Sequence, residues 1–195
     1  MEREIQYIVY TNLFNLLSYR GFTSLSNLSE RPKFIESLTK NTFIEVKAER
    51  KKTGDKLSIF MFATDSRHLK GKTAVEKFIN KHIVTDCILI TETNQPHANI
   101  KALVISKPDV HVEVGVYDFL IFNFPTHVSF TKYERVTDEE EQKFKQLEHK
   151  KLTRLPRGYT SDMCIFWMGA RPGDVIKCDR LSDTAGEGFY MRRVY

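Results

Sequence analysis

The sequence predicts an α/β (α+β) protein of two domains, the first with a mixed sheet and the second a small α+β unit. Three observations predict this. Segments with helical apolar spacing alternate with short apolar or alternating segments of strand length through the first two thirds of the chain, a pattern of open α/β domains. A highly charged helix then begins at Thr137, and Leu155-Pro156-Arg157-Gly158 breaks it, because proline lacks the N–H and restricts the residue before it. Finally, 195 residues with 41% hydrophobic content suffice for one ordinary domain and a small one. The boundaries expected are 1–136, a connecting helix over 137–151, and 152–195.

In the first domain Ile5, Ile8, Val9, Leu13, Leu16 and Leu17 recur at helical spacing, and Gly21 stands where a left-handed cap belongs. Ser29, followed by Pro32, Phe34, Ile35 and Leu38, predicts a shorter second helix. Phe43 to Glu49 and Leu57 to Ala63 read as a hairpin turning through Lys51, Lys52, Thr53, Gly54 and Asp55. A helix is expected around Thr73 to Ile79. Cys87 to Ile90 then reads as a strand buried on both faces. A turn over Thr93 to His97, a short helix over Asn99 to Ser106, an alternating strand over Val110 to Val116 and an apolar strand over Phe119 to Phe124 complete the domain.

Thr137 opens the charged helix with a capping-box partner at Glu140, and Asp138, Glu139 and Glu141 fill its first turn. Lys143, Lys145, Lys150 and Lys151 follow, so acids precede bases along the macrodipole of a largely solvated helix whose narrow apolar contact is Phe144 and Leu147. In the second domain a helix from Asp162 to Met168 ends at Gly169. A turn through Arg171 to Asp174 leads to a strand over Val175 to Leu181, and the chain returns as Phe189 to Tyr195. Ile165-Phe166-Trp167-Met168 is bulky for so small a unit, and serves either its own core or an interface.

The amino terminus, Met1-Glu2-Arg3-Glu4, does not read as a signal peptide and no apolar run is long enough to span a bilayer, so an intracellular protein with no membrane partner is expected. Cys87, Cys164 and Cys178 are single and odd in number, which favours reduced, buried thiols and no metal site. The charge of +5 allows an anionic partner without implying autonomous binding. Lys47, Arg50, Lys51, Lys52 and Lys56 at the first hairpin, with Arg67, Lys70 and Lys72 before the next helix, are either backbone-attracting contacts to DNA or solvated loop charges.

From Leu155 onward the string Leu155-Pro156-Arg157, Asp162, Gly169, Gly173, Val175, Ile176, Lys177, Arg180, Ser182, Asp183, Thr184, Ala185, Gly186 and Arg192 resembles the carboxy-terminal domain that the fifth subunit of eukaryotic nuclear RNA polymerases shares with its small archaeal counterpart. The order and spacing match over about forty residues. Gly158 stands in place of the usual isoleucine, Met163 of a proline and Asp183 of a glutamate, and the aromatic pattern from Glu187 to Met191 is shifted. These departures mark a divergent member, cellular or viral.

The amino-terminal part is similar in plan to the eukaryotic jaw domain, with an opening helix ending in Arg20-Gly21-Phe22. The resemblance implies a nuclease-like jaw without activity and an assembly domain that docks on the largest polymerase subunit. It implies other polymerase subunits as partners, downstream duplex DNA bound without sequence readout, and no cofactor of the chain's own. Docking residues implied are Leu155, Pro156, Arg157, Gly169, Gly173, Lys177, Arg180, Ser182, Thr184, Gly186 and Arg192, though Lys177, Arg180 and Arg192 also read as charges that solvate the sheet. Localisation follows the lineage: nucleus for a cellular enzyme, host cytoplasmic factory and virion for a viral one.

The alternative is an independent nucleic-acid-binding or nuclease protein. Glu45-Val46-Lys47 matches the Glu-x-Lys half of a metal-dependent nuclease motif, whose carboxylates must cluster to hold a divalent ion. Its other half is missing, since Pro108-Asp109 lies downstream and Glu30 and Glu36 fall on or beside a predicted helix. No catalytic residue is therefore assigned. Histidines 68, 82, 97, 111, 127 and 149 are dispersed and expected at the surface or satisfied in the core.

Overall fold

The computed structural model describes residues 2–40, 43–62, 72–82, 85–92, 109–127, 130, 132–148, 155–182 and 186–195, a few of them by backbone alone. The chain forms two compact units, Met1–Asn123 and Phe124–Tyr195.

In the first unit α1 (Glu2–Tyr19) buries Val9, Leu13, Leu16 and Leu17 of the face its spacing predicts, while Ile5 and Ile8 near its start are exposed. Gly21, at φ 75°, closes it: the Phe22 amide donates to the Leu17 carbonyl (2.8 Å) and the Gly21 amide to the Ser18 carbonyl (3.0 Å), the paired bonds of a Schellman cap. A two-residue strand, β1 (Thr23–Ser24), precedes α2 (Arg31–Lys40). The second helix begins two residues beyond Ser29, whose amide donates instead to the Tyr10 hydroxyl, and the Tyr10 and Phe34 rings pack at 4.6 Å.

The predicted hairpin is β2 (Phe43–Glu49) and β3 (Lys56–Phe62), with Gly54 at φ 73° in its turn. After α3 (Lys72–His82) come β4 (Asp86–Thr91) and β5 (His111–Val116). The sheet order is β1-β2-β3-β4-β5, antiparallel through β3 and parallel from β3 to β5, so the sheet is mixed as expected. Cys87 to Thr91 is buried throughout, as a central parallel strand requires. Phe60, Phe62, Ile79, Cys87, Leu89, Val112 and Val114 form one core, with Phe43 and Phe78 against it.

Phe119 to Phe124 is not a strand. The chain leaves β5 in a 3-10 turn at Tyr117–Leu120 and makes another at Phe124–Thr126. The Tyr117 hydroxyl donates to the Phe62 carbonyl at the end of β3, and Asn12 Nδ2 on α1 donates to the Leu120 carbonyl (2.8 Å), so the segment is held to both elements. The expected turn at Thr93 to His97 and helix at Asn99 to Ser106 lie outside the described residues.

The second unit contains β6 (Tyr133–Arg135), α4 (Asp138–Glu148), β7 (Arg157–Gly158), α5 (Met163–Met168), β8 (Val175–Ser182) and β9 (Gly186–Val194). Its sheet runs β6-β8-β9-β7. Tyr133 pairs with Cys178 and Arg135 with Ile176, and the Val136 amide donates to the Val175 carbonyl (2.9 Å). The unit therefore begins at Phe124 rather than after residue 136, and the charged helix belongs to it instead of connecting two domains. Its capping box forms, with the Thr137 amide donating to Glu140 Oε2 (2.9 Å) and the Glu140 amide to Thr137 Oγ1 (3.3 Å). The side chains of Phe144 and Leu147 are outside the described set.

In the bulky run Ile165, Phe166 and Trp167 are buried and Met168 is partly so; Ile165 belongs to the core of the small unit and Met168 packs against it. Ile165, Ala170, Ile176 and Val194 form the centre of this small core. No helix among the described residues is long and apolar enough to cross a membrane.

Candidate docking surface and basic hairpin

The residues with the sharpest sequence signal gather where β7 meets α5 and β9. Pro156 is exposed and its carbonyl accepts from the Arg193 amide (3.0 Å). The Tyr195 amide donates to the Gly158 carbonyl (2.8 Å) and the Thr160 amide to the Tyr195 carbonyl (3.3 Å), so the pairing with β9 continues past the end of β7. Leu155 is half-buried. Arg157 is exposed, with its guanidinium 5.2 Å from the Tyr195 ring centroid.

Gly158 is buried for a packing reason. A Cβ there would lie 2.7 Å from Ile165 Cδ1, so the isoleucine methyl occupies the space a side chain would need. Asp162 caps α5 by accepting from the Cys164 amide (2.8 Å). Gly169, at φ 68°, ends α5 through bonds to the Ile165 and Phe166 carbonyls, and Gly173, at φ 102°, makes the next turn. Arg135 braces this turn by donating to the Gly169 carbonyl and pairing with Asp174 (3.1 Å). Asp174 in turn accepts from the Arg171 amide (2.8 Å). No sequence pattern points to Arg135, because nothing local connects it to a glycine 34 residues away.

Lys177 makes ion pairs within its own unit. Its Nζ lies 2.6 Å from Glu140 Oε1 and 3.8 Å from Glu134 Oε2, so it fastens the start of α4 to the sheet. The Lys177 hydrogen bond and the Thr137 amide hold the Glu140 carboxyl down at about 2. Arg192 is half-buried and pairs with Ile176 across the ladder. Gly186 opens β9 opposite Ser182. The side chains of Arg180 and Ser182, and all of Thr184, lie outside the described set.

The basic hairpin of the first unit is sorted by its contacts. Arg50 is internal bracing: it pairs with Asp55 (3.3 Å), donates to the Arg20 carbonyl (3.3 Å) and stacks 4.4 Å from the Phe22 ring centroid. Lys47 is exposed beside Glu45 at 3.6 Å. Lys51 and Lys52 in the turn and Lys56 at the start of β3 are exposed and make no ion pair among the described residues. Arg67 and Lys70 lie outside those residues, as does the side chain of Lys72.

Glu45 and Lys47 alternate with buried Val46 and Ala48, as outward charges on an edge-side strand do. Asp109 is exposed, and Pro108 lies outside the described residues. Among the described residues no three His, Cys, Asp or Glu side chains come together to hold a metal ion. His82 packs in the Phe43, Phe60 and Phe78 ring cluster. His111 lies 3.2 Å from Glu113, which also receives two bonds from Arg20 (3.2 and 2.7 Å). Burial would raise the Glu113 carboxyl, but the Arg20 guanidinium and the hydrogen bonds from His111 and Arg20 outweigh it and hold the group at about 2.

The family of RNA polymerase Rpb5 C-terminal domains matches residues 122–194, nearly the whole second unit. The archaeal "DNA-directed RNA polymerase subunit Rpo5" of Nitrosopumilus maritimus is 39% identical over 70 residues, covering 36% of this chain and 84% of that protein. The chain belongs to the fifth-subunit family of DNA-directed RNA polymerases. The Rpo5 of Thermococcus kodakarensis is 34% identical over 73 residues, 37% of this chain and 89% of its own. A full-length likeness joins this fifth-subunit member to the "DNA-directed RNA polymerase RPB5 homolog" of African swine fever virus (isolate Warthog/Namibia/Wart80/1980), 23% identical over 194 residues and 94% of each chain. The archaeal relatives match only about a third of the chain, whereas the viral one also spans the first unit. The independent nuclease alternative finds no support among these relatives.

Proposed function

We propose that this chain is a non-catalytic subunit of a multisubunit DNA-directed RNA polymerase, docked on the largest subunit through Phe124–Tyr195. The observation that carries this reading is the coincidence of that compact unit with the part shared by archaeal fifth subunits, which consist of little else. The first unit is the jaw beside downstream duplex DNA, attracted through Lys47, Lys51, Lys52 and Lys56 without reading sequence. Active-site chemistry, its metal and the nucleoside triphosphate belong to other subunits. The full-length likeness to a viral homologue supports a viral lineage, with work in a host cytoplasmic factory and packaging in the virion.

The test is purification of the tagged full-length chain from its native source, followed by crosslinking and mass spectrometry. The largest polymerase subunit should crosslink to residues 155–195. Recovery only as a free monomer would contradict the proposal. Metal-dependent DNA cleavage lost in Glu45→Ala would restore the nuclease alternative.

A further inference from the structure

The second sheet has two unlike edges. β6 is three residues long and flanked or occupied by Lys132, Glu134 and Arg135, the charged, short form that discourages pairing. On the other side, β9 runs nine residues but β7 covers it only at Arg193 and Val194. Hydrogen-bond parity identifies what the uncovered part presents. The Val194 amide donates to the Asp174 carbonyl (2.9 Å) and its carbonyl accepts from the Gly173 amide (2.9 Å), so Val194 faces the β8 side.

The β8–β9 register is unbroken from Val175–Arg193 to Ser182–Gly186. Arg192, Tyr190 and Gly188 therefore turn their main chains toward β8, and Arg193, Met191, Phe189 and Glu187 turn theirs outward. The outward bond from the Arg193 amide to the Pro156 carbonyl agrees with this assignment. The next rung of the parallel ladder would need a donor at Pro156, which has none, and the chain bends at Leu155. Proline thus ends β7 and leaves the outward groups of Met191, Phe189 and Glu187 without a neighbouring strand among the described residues.

We propose that the outer edge of β9, from Glu187 to Met191, takes an extended segment of a neighbouring polymerase subunit as an added strand, with an acidic residue of that segment set against Arg157. This rests on the subunit reading above. Several observations favour that occupant. The edge has no lysine, proline or bulge between Gly188 and Met191 to repel a strand. Tyr190 is 49% exposed and a Cβ on Gly188 would meet nothing within 4 Å, which leaves room for incoming side chains. Arg157, in line with the edge, is exposed and makes no ion pair among the described residues, so it complements an acid. The edge lies within the part shared with archaeal subunits, and main-chain pairing tolerates the shifted side-chain pattern at Glu187 to Met191.

Hydrogen exchange at single-amide resolution on the full-length chain, free and within the assembled polymerase, tests the proposal. The Phe189 and Met191 amides should exchange about ten-fold or more slowly in the complex than in the free chain, while Tyr190 and Arg192 stay protected in both. Unchanged exchange at Phe189 and Met191, with the chain still in the complex, overturns strand addition and leaves the subunit reading standing. Failure to enter the complex overturns both. Concentration-dependent protection in the free chain would name a second copy as the occupant and also overturn the proposal. In a second measurement, a synthetic 178–195 segment joined at Cys178 carries an N-methyl group on Met191. The β8–β9 ladder should survive, because that amide points outward, and retention in the polymerase should fall; retention equal to the unmodified chain counts against the added strand.

Discussion

Gly158 and Glu113 illustrate what single residues decide here. With Ile165 Cδ1 2.7 Å from the position of a Cβ, Gly158→Ile should overpack the small core and destabilise the second unit by about 1 to 3 kcal/mol. Gly158→Ala should cost less, and adding Ile165→Val, which removes that methyl, should relieve the clash; thermal melts of the three variants check this. Glu113 is held well below an ordinary carboxyl, at about 2. Its contribution is therefore present above pH ~4.5, the unfolded range, and is lost as the pH falls from there toward 2. Melting temperatures measured between pH 6 and 2.5 should drop less steeply in Glu113→Gln than in the natural chain, from a lower starting value. The Arg20–Glu113 pair is invisible to sequence reading because its partners are 93 positions apart, and no local pattern joins a helix end to a strand.

At the scale of elements, long periodic segments are legible in the sequence and very short ones are not. α1, the β2–β3 hairpin, β4 and the β8–β9 hairpin lie where spacing and turn residues put them. β6 and β7, of three and two residues, carry too little periodicity to be read, and exist because β8 and β9 offer them edges. Phe119 to Phe124 has strand composition, yet hydrogen bonds from Tyr117 and Asn12 coil it. The charged helix α4 starts after Thr137 as its capping box predicts, but it lies within the compact unit Phe124–Tyr195, where Lys177 pairs with Glu140 across 37 positions. Thr137→Ala should destabilise this unit by roughly 1 kcal/mol, read by chemical denaturation. Lys177→Met should change the stability little, because the pair it breaks is exposed to solvent and screened. If the lysine braces α4 rather than meeting a partner, that variant should still enter the polymerase.

For the whole molecule, the two units carry separable expectations. Phe124–Tyr195 expressed alone should still assemble into the polymerase, as its likeness to archaeal subunits of that size implies, and loss of assembly in pull-downs would count against docking through this unit. Reversing Lys51 and Lys52 to glutamate should leave assembly intact but weaken retention of downstream DNA. The slope of log K against log salt should fall by about one to two, since each lost phosphate contact removes about 0.9. What the sequence determined by itself was the fold class, the order of its long elements and the family, because apolar periodicity, glycine turns and an ordered motif are all local in the chain. The tertiary structure alone decided where the second unit begins, that Lys177 and Arg50 make ion pairs within their own units, and that among the described residues β7 pairs with β9 only at Arg193 and Val194. Each of those depends on which distant strand or side chain arrives beside a residue, and pairing across 30 to 90 positions leaves no mark in local spacing.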